Sequence, residues 1–489
     1  MRNNFSLLLL LLFYFNSFSQ ERISWFLNSL KDSNTPISAI YPFVNEINGD
    51  VGIFIVDDLN INGYLLNNQF KLKKELNSPI KKTKYRTIIG SSIFGENNYR
   101  LFSTNNNQNK FATVNFSFKN NKSDFKEIDI DLTNERFIQA VNYDNKFYLI
   151  TIGVFKSIIY IYSFDNNAKF IKNEISLINE RFVNDKSLNE DLYRIIKSAR
   201  LAKGSNDIKI NLKVEKIIEN NPNSIEITSK KTKLYQRDNK IIFTFDFNKN
   251  YTQILQIDLR DYSYKLKTFT KPFNEVSMDK KKTNSYINGD YIFMVAATKQ
   301  KFSFTIQNYN DGKIIKEYIA TLGQPIAFKN SHIYIEGGDF NVHKELEKTK
   351  KFLKFIKSSD IGISTYKFND DYQITMGGTR EVNSGSSMMM PMGVASMGAI
   401  GIIMAFNPAA FAFNSYTNSY STFIISRFDE DFKHIKGNIK KNVFDKIKEA
   451  LDNTNNSDFK SIFKYKNYYI LGIYSNYSRV FQLQKFETN

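Results

Sequence analysis

The sequence reads Ile47-Asn48-Gly49-Asp50-Val51-Gly52-Ile53-Phe54-Ile55 near its start, and the letters Ile-Asn-Gly-Asp return at 287–290, again before an apolar run. Asn-Gly and Asp-Asn pairs tolerate a positive φ, and the β-branched and aromatic residues after them suit a pleated, buried surface. Each copy therefore predicts a tight turn that leads into a strand. Looser copies of the turn begin at Asn97, Asp144, Asp238, Asn330, Asp370 and Asn467.

The spacing of these turns indicates a repeated unit. From Val51 to Tyr99 is 48 residues, and from Tyr99 to Phe147 is again 48. A second half-unit, a strand followed by a polar turn such as Asn310-Asp311-Gly312, alternates with the first. Four antiparallel strands in about 40–50 residues make a unit of the size of a propeller blade. Because one such sheet cannot bury both of its faces, several must pack around an axis.

The chain is therefore predicted to be all-β, a β-propeller of seven or eight four-stranded blades with short helical insertions. An array of β-sandwiches and a transmembrane β-barrel are the alternatives, but near-continuous apolar runs such as 53–56 and 158–162 favour strands covered on both faces. Residues 51–486 resemble uncharacterised secreted β-propeller-like repeat proteins. The resemblance rests on the pattern alone, without a WD dipeptide or a kelch signature, and it implies a scaffold without assigning a catalytic residue.

Residues 1–19 read as a secretory signal. Arg2 supplies the positive charge, residues 5–15 are apolar, and Ser17 and Ser19 suit cleavage before Gln20. An uncleaved membrane anchor is the alternative, but the apolar run is short for a bilayer core of about 30 Å. We expect the propeller, residues 20–489, to be exported to the periplasm, the cell surface or the medium. Without Cys it is not a lipoprotein.

Composition limits the chemistry of the chain. The 489 residues contain no Cys, which excludes disulfides, thiolate metal sites and Cys nucleophiles. The hydrophobic fraction of 42% is enough for a large core. The net charge of +18 comes from lysines scattered along the chain, which favours a dispersed solvated surface over an anion-binding face. We expect no nucleic acid as a partner.

Three stretches interrupt the regular succession of turns and strands, and they are interpreted as insertions at 180–225, 341–358 and 385–418. The periodicity predicts a helix over 186–204, packed on a blade edge, and a basic helix over 342–356. The second helix reads as a solvated insert, with an anionic membrane or a protein partner as alternatives. A further short helix is predicted over 443–451.

The third insertion contains an uncharged segment, residues 388–413. Pro391 and Pro408 bracket too few residues for a helix that crosses a bilayer, so a long loop is the first interpretation. A partner-binding or self-associating arm and a membrane-inserting hairpin are the alternatives, since Met-rich surfaces adapt to varied partners. The residues of this candidate arm are Met388, Met389, Met390, Met392, Met397, Met404, Phe406, Phe411 and Phe413.

No catalytic motif is recognisable in the sequence, and we predict neither a catalytic residue, nor a cofactor, nor a metal site. The histidines His332, His343 and His434 have no metal-ligand spacing. Asp129, Asp131 and Glu135 have the residue types of a calcium loop, but the Gly and the third acidic position of an EF-hand are missing, and a strand-like alternation is favoured.

These observations favour an exported, non-catalytic binding or scaffold protein that displays inter-strand loops for contact with a protein or a glycan, an envelope protein being one such partner. One alternative is a glycan-active hydrolase with its site in the propeller funnel, marked by converging carboxylates or histidines. The other is a membrane-associated envelope protein that is anchored, or in peripheral membrane contact, through residues 388–413.

Overall fold

The computed structural model describes residues 21–31, 36–79, 84–85, 87–198, 212, 214–219, 221–277, 280–337, 342–368, 370–381, 419–452 and 459–488. The predicted signal, residues 1–19, and the candidate arm, residues 388–413, lie outside these ranges.

The described residues form seven sheets of four or five strands and one two-stranded sheet. Sheet 1 consists of β2 (Ile37–Val44), β3 (Val51–Asp57), β4 (Asn60–Leu66) and β5 (Leu72–Pro79). Sheet 2 consists of β6 (Thr87–Phe94), β7 (Asn98–Thr104), β8 (Phe111–Ser117) and β9 (Lys122–Ile128). Sheet 3 consists of β10 (Glu135–Tyr143), β11 (Lys146–Gly153), β12 (Ile158–Phe164) and β13 (Phe170–Ser176).

The two-stranded sheet, β14 (Phe182–Val183) and β15 (Asn189–Glu190), comes next in the chain. Sheet 4 consists of β16 (Glu215–Ile217), β17 (Thr232–Arg237), β18 (Lys240–Phe245), β19 (Tyr251–Asp258) and β20 (Tyr264–Thr270). Sheet 5 consists of β21 (Lys282–Asn288), β22 (Tyr291–Ala297), β23 (Lys301–Asn308) and β24 (Ile314–Thr321).

Sheet 6 consists of β25 (Ile333–Gly337), β26 (Val342–Leu346), β27 (Asp360–Phe368), β28 (Asp371–Glu381) and β29 (Ser419–Phe428). Sheet 7 joins the two ends of the described chain: β30 (Phe459–Tyr465), β31 (Tyr468–Tyr474) and β32 (Val480–Glu487) pair in sequence, and β1 (Glu21–Leu27) completes the sheet beside β32. The helices are Leu192–Ser198, Ile225–Thr228, Thr349–Lys357 and Val443–Asp452.

Alternation along each strand explains why the sheets pack against each other. On β3, Val51, Ile53 and Ile55 join a cluster that sheet 1 shares with sheet 7, whereas Phe54 and Val56 join a cluster shared with sheet 2. Successive side chains of a strand point to opposite faces, so one fully buried strand serves two neighbours.

Further clusters continue this pairwise packing around a ring. They join sheets 2 and 3, sheets 3 and 4, sheets 4 to 6, and sheets 6 and 7. Edge strands of neighbouring sheets lie side by side, with β2 beside β30, β6 beside β10 and β21 beside β27. The chain is a β-propeller, and the sheets are called blades 1–7 below.

The turns that the sequence pattern predicts are present. Gly49, Asn97, Asp144, Asp238 and Gly289, in or next to the turns before β3, β7, β11, β18 and β22, have a positive φ. The turns between third and fourth strands repeat a different device, in which an Asn or Asp oxygen accepts backbone N–H groups further along the turn. In blade 3, Oδ1 of Asp165 accepts from the amides of Asn167 and Lys169, both at 2.8 Å. Much of the Asn and Asp content is therefore explained by turns.

Two of the predicted helices require correction. Residues 342–346 are strand β26, and only Thr349–Lys357 is helical, because residues 342–346 pair with β25 as a hairpin at the outer side of blade 6. The predicted start at residue 186 is also wrong, since β15 precedes a helix that begins at Leu192. The helix predicted over 443–451 is confirmed as Val443–Asp452. Among the described residues, no helix combines the length and apolarity needed to cross a membrane.

Candidate functional site

The axial region of the propeller is crossed by the protein's own chain. Residues 214–219 and 221–229, called the axial segment, include β16, which pairs with β17 on the side away from β18. The amide of Val214 donates to the carbonyl of Ile138 in blade 3 at 3.1 Å. The hydroxyl of Tyr469, in blade 7, donates to Oδ1 of Asn221 at 2.7 Å.

The same segment also contacts blades 5 and 6. Nδ2 of Asn223 donates to the Tyr286 hydroxyl of blade 5 at 2.9 Å. At Gly362 of blade 6 the approach is so close that a Cβ atom would lie 2.8 Å from the backbone nitrogen of Ser229. The axial segment thus bridges blades 3 to 7 across the region where a propeller funnel would lie.

A buried ionic cluster lies between blades 4 and 5. Nζ of Lys233 and Nζ of Lys271 each lie 2.8 Å from a different oxygen of Asp246, and all three side chains are fully buried. Thr252 and Ser285 donate to the same carboxylate at 2.8 and 2.9 Å. Burial by itself would raise a carboxyl pKa, but the two ammonium groups outweigh it and hold the pKa of Asp246 well below its usual range. Because both oxygens are occupied, we interpret the cluster as structural.

A cleft of about 810 Å³ lies between blades 2 and 3, on the face where the first strand of each blade begins. Its walls are the β7–β8 turn, residues 105–110, and the β9–β10 link, residues 129–134. We call it the loop cleft. Its polar and charged lining residues are Lys84, Tyr85, Asn107, Gln108, Asn109, Lys110, Glu127, Asp129, Asp131, Thr133, Glu135 and Arg136.

Local hydrogen bonds stabilise the turn in each wall of the loop cleft. Oδ1 of Asn105 accepts from the amides of Asn109 and Lys110 at 3.0 and 3.2 Å. On the other wall, Asp131 accepts from the hydroxyl and the amide of Thr133, and these bonds lower the pKa of Asp131. The two walls present exposed side chains of both signs.

Asp129, Asp131 and Glu135, the three acidic residues with the residue types of a calcium loop, have different surroundings in the structure. Glu135 is buried and holds Lys172, Thr151 and the Tyr162 hydroxyl, the last at 2.9 Å. Asp131 is occupied by its own turn, and Asp129 is exposed in the loop cleft. Within the described ranges, no three His, Asp or Glu side chains are arranged to hold a metal ion.

Two of the three histidines contact side chains of the protein. His332 contacts Glu347 through Nδ1 at 2.7 Å, and His434 contacts Oδ1 of Asn330 through Nε2 at 3.0 Å. His343 lies on β26, opposite Glu336 in the hairpin register. Burial, with Lys436 nearby, lowers the pKa of His434. The candidate arm residues, Met388 to Phe413, lie outside the described residues, so the loop cleft takes their place as the candidate site.

Three solved structures are similar to this chain at 8–10% identity and TM-scores of 0.26–0.30. No known family matches the sequence, and no curated protein matches it by sequence. Dihydro-heme d1 dehydrogenase NirN is similar over 59% of this chain and 48% of its own, at 10% identity and a TM-score of 0.28. The chain thus spans about half the length of NirN.

Two other similar structures match a larger share of their own length. Kluyveromyces lactis Hsv2 is similar over 93% of this chain and 99% of its own, at 8% identity and a TM-score of 0.30. The Dos1 propeller is similar over 69% and 71%, at 8% identity and a TM-score of 0.26. At these TM-scores the likeness carries no statement about activity. The fold rests on the chain's own sheets, which define a β-propeller protein.

Proposed function

We propose that the chain is an exported, non-catalytic binding or scaffold propeller that displays its loops for contact with another molecule. The observation that carries the proposal is the loop cleft, an open cleft built from connecting loops at one end of blades 2 and 3. Loops on a rigid scaffold are where binding residues concentrate. The predicted signal at residues 1–19 supports export.

The lining of the loop cleft favours a protein segment as its occupant. Lys110 and Asp129 are exposed on opposite walls, and within the described residues neither side chain has an ion-pair partner. Asn107 and Asn109 add amide groups that can both donate and accept. A mixed-charge polypeptide offers complementary charges and backbone groups to such a lining, and charge complementarity determines specificity more than affinity.

The hydrolase alternative places its site in the funnel. In the described structure the axial segment crosses that region. Glu219 of this segment is paired with Arg237, and Asp246 is held by two lysines and two hydroxyls. These observations favour the binding proposal. The membrane alternative depends on residues 388–413, outside the described ranges.

Exchanging the charges of the loop cleft tests the proposal. The variant Lys110→Glu/Asp129→Lys keeps the net charge but reverses the two walls. We expect proteins retained from an extract of the source organism to fall at least tenfold relative to wild type, with an unchanged melting temperature. The matched control, Asp431→Lys/Lys433→Glu, reverses an exposed ion pair on blade 6 and should retain the same proteins as wild type. Equal retention by all three proteins would show that the loop cleft is not the working site.

A further inference from the structure

A second cleft, of about 580 Å³, lies between blades 3 and 4 on the face opposite the loop cleft. It is formed by the β10–β11, β12–β13 and β19–β20 turns, all of which lie at the end of the propeller where first strands finish. Three tyrosines line it, Tyr143, Tyr148 and Tyr262, and we call it the tyrosine cleft. Its volume lies within the range of small-molecule sites, about 300–1,000 Å³.

The three tyrosine rings are held by the core while their hydroxyl groups are left for a ligand. Tyr148 belongs to the cluster that joins blades 3 and 4, and Tyr143 and Tyr262 pack against that cluster half-buried. Within the described part of the chain, none of the three hydroxyls makes a hydrogen bond to protein. All three residues line the open cleft, so their hydroxyl groups are free for a polar ligand.

The three groups are also close enough to influence one another. Burial, with smaller contributions from Tyr262, Asp144 and Tyr143, raises the pKa of Tyr148 to about 12. At neutral pH the Tyr148 hydroxyl therefore stays protonated and can both donate and accept a hydrogen bond.

Charge in the tyrosine cleft is balanced. Arg260 forms a two-bonded pair with Asp258, at 3.2 and 3.0 Å. The remaining charged lining residues are two carboxylates and two ammonium groups, Asp144, Asp165, Lys146 and Lys169. An anionic or a cationic ligand would meet no excess of opposite charge, so the lining favours an uncharged one.

We propose that the tyrosine cleft binds a neutral carbohydrate. The exposed parts of the half-buried Tyr143 and Tyr262 rings offer apolar surface to the C–H face of a pyranose. The three hydroxyls, with the carboxylate and ammonium groups, offer both donors and acceptors to sugar hydroxyls. The remaining N–H groups of Arg260, which holds Asp258 with two of its five, add further donors. The site is separate from the loop cleft and does not depend on its occupant.

Titration calorimetry with maltotriose, cellotriose and chitotriose tests the proposal. We expect at least one trisaccharide to bind to the wild-type protein, and Tyr262→Ala to weaken that binding at least tenfold. The conservative variants Tyr143→Phe and Tyr148→Phe keep the rings and test the hydroxyls alone, with an expected loss of about three- to tenfold each, of the size of one hydrogen bond.

Two controls separate this result from folding and from the loop cleft. Tyr477→Ala removes a fully exposed tyrosine of blade 7 and should bind like wild type, as should Lys110→Glu/Asp129→Lys. Absence of binding of all three sugars at 10 mM would overturn the proposal, as would binding that Tyr262→Ala leaves unchanged. Binding of sialyllactose alone would also overturn it, since that sugar is anionic.

Discussion

Replacing Asp246 with alanine lowers the free energy of unfolding by about 3–5 kcal/mol, the cost of leaving buried charges without their partner. The variant leaves the ammonium groups of Lys233 and Lys271 fully buried without the carboxylate that each contacts at 2.8 Å. It also removes the acceptor of Thr252 and Ser285. Equilibrium urea unfolding, followed by circular dichroism, measures the change.

Two further variants identify the cause of this loss. Asp431→Ala removes an aspartate from an exposed pair with Lys433 at 3.5 Å, and we expect a change below about 0.5 kcal/mol. The triple variant Lys233→Met/Asp246→Leu/Lys271→Met removes all three charges together and should recover most of the stability lost in Asp246→Ala. A loss below 1 kcal/mol in Asp246→Ala would contradict a buried, fully paired carboxylate.

Deleting strand β1, residues 21–27, is expected to have the second large effect. Phe26 packs against Tyr64 of blade 1 and Phe481 of blade 7, with ring centroids 4.6 and 5.4 Å apart. Truncating a buried Phe alone costs about 3–5 kcal/mol, and the deletion also leaves the edge of β32 unpaired. We expect the protein to lose its cooperative unfolding transition or to aggregate, as seen by circular dichroism and size-exclusion chromatography.

The matched control is a chain that begins at Glu21, which keeps β1 and removes only what precedes it. It should unfold with the same midpoint as the full chain. Addition of a synthetic peptide of residues 21–31 to the deletion variant should restore part of the transition, because a ligand that binds only the folded state stabilises it by mass action. A deletion variant as stable as the control would mean that β1 does not close the ring.

The repeat was predictable because its signals are local. Asn-Gly and Asp-Asn pairs indicate turns that need a positive φ, and continuous apolar runs indicate strands that are covered on both faces. Seven of the eight predicted turn-and-strand copies mark one strand in each blade, at β3, β7, β11, β18, β22, β28 and β31. The eighth copy, at Asn330, precedes β25, a further strand of blade 6 that pairs with β26 and β29. The number of repeats was harder to predict. The long interval from Phe147 to Lys240 reads as two units, but its described residues contain the two-stranded sheet and the axial segment, without a further four-stranded sheet.

The features that the sequence did not predict depend on contacts between residues distant in sequence. Residues 342–346 read as part of a helix because charged and apolar residues alternate irregularly, and only pairing with β25 makes them a strand. The axial segment carries no distinctive motif, and its position follows from single polar contacts such as Asn221 with Tyr469. Likewise, Lys233, Asp246 and Lys271 are residue types that are usual at surfaces. They meet only because the turns of blade 4 bring their strands together.

The candidate sites also combine features that the sequence indicates with features that only the folded chain brings together. Asp129, Asp131 and Glu135 do lie around one cleft, although the structure uses Asp131 and Glu135 to hold protein groups. Tyr143 and Tyr148 flank a turn that the sequence indicates, but Tyr262 joins them only because blades 3 and 4 are neighbours. Sequence spacing therefore predicts single turns, whereas a cleft between blades needs the closed ring.

Cysteine crosslinking tests ring closure most directly, because the chain has no cysteine of its own. Trp25 and Gln482 are directly opposite in the pairing of β1 with β32. Opposed antiparallel residues have Cα atoms about 4.5–5.5 Å apart, within disulfide range. In Trp25→Cys/Gln482→Cys we predict an intramolecular disulfide under mild oxidation, seen as faster migration on a non-reducing gel. In Trp25→Cys/Glu487→Cys, five positions out of register, we predict none. Equal crosslinking of both pairs, or only crosslinked dimers, would contradict a propeller closed by its own first strand.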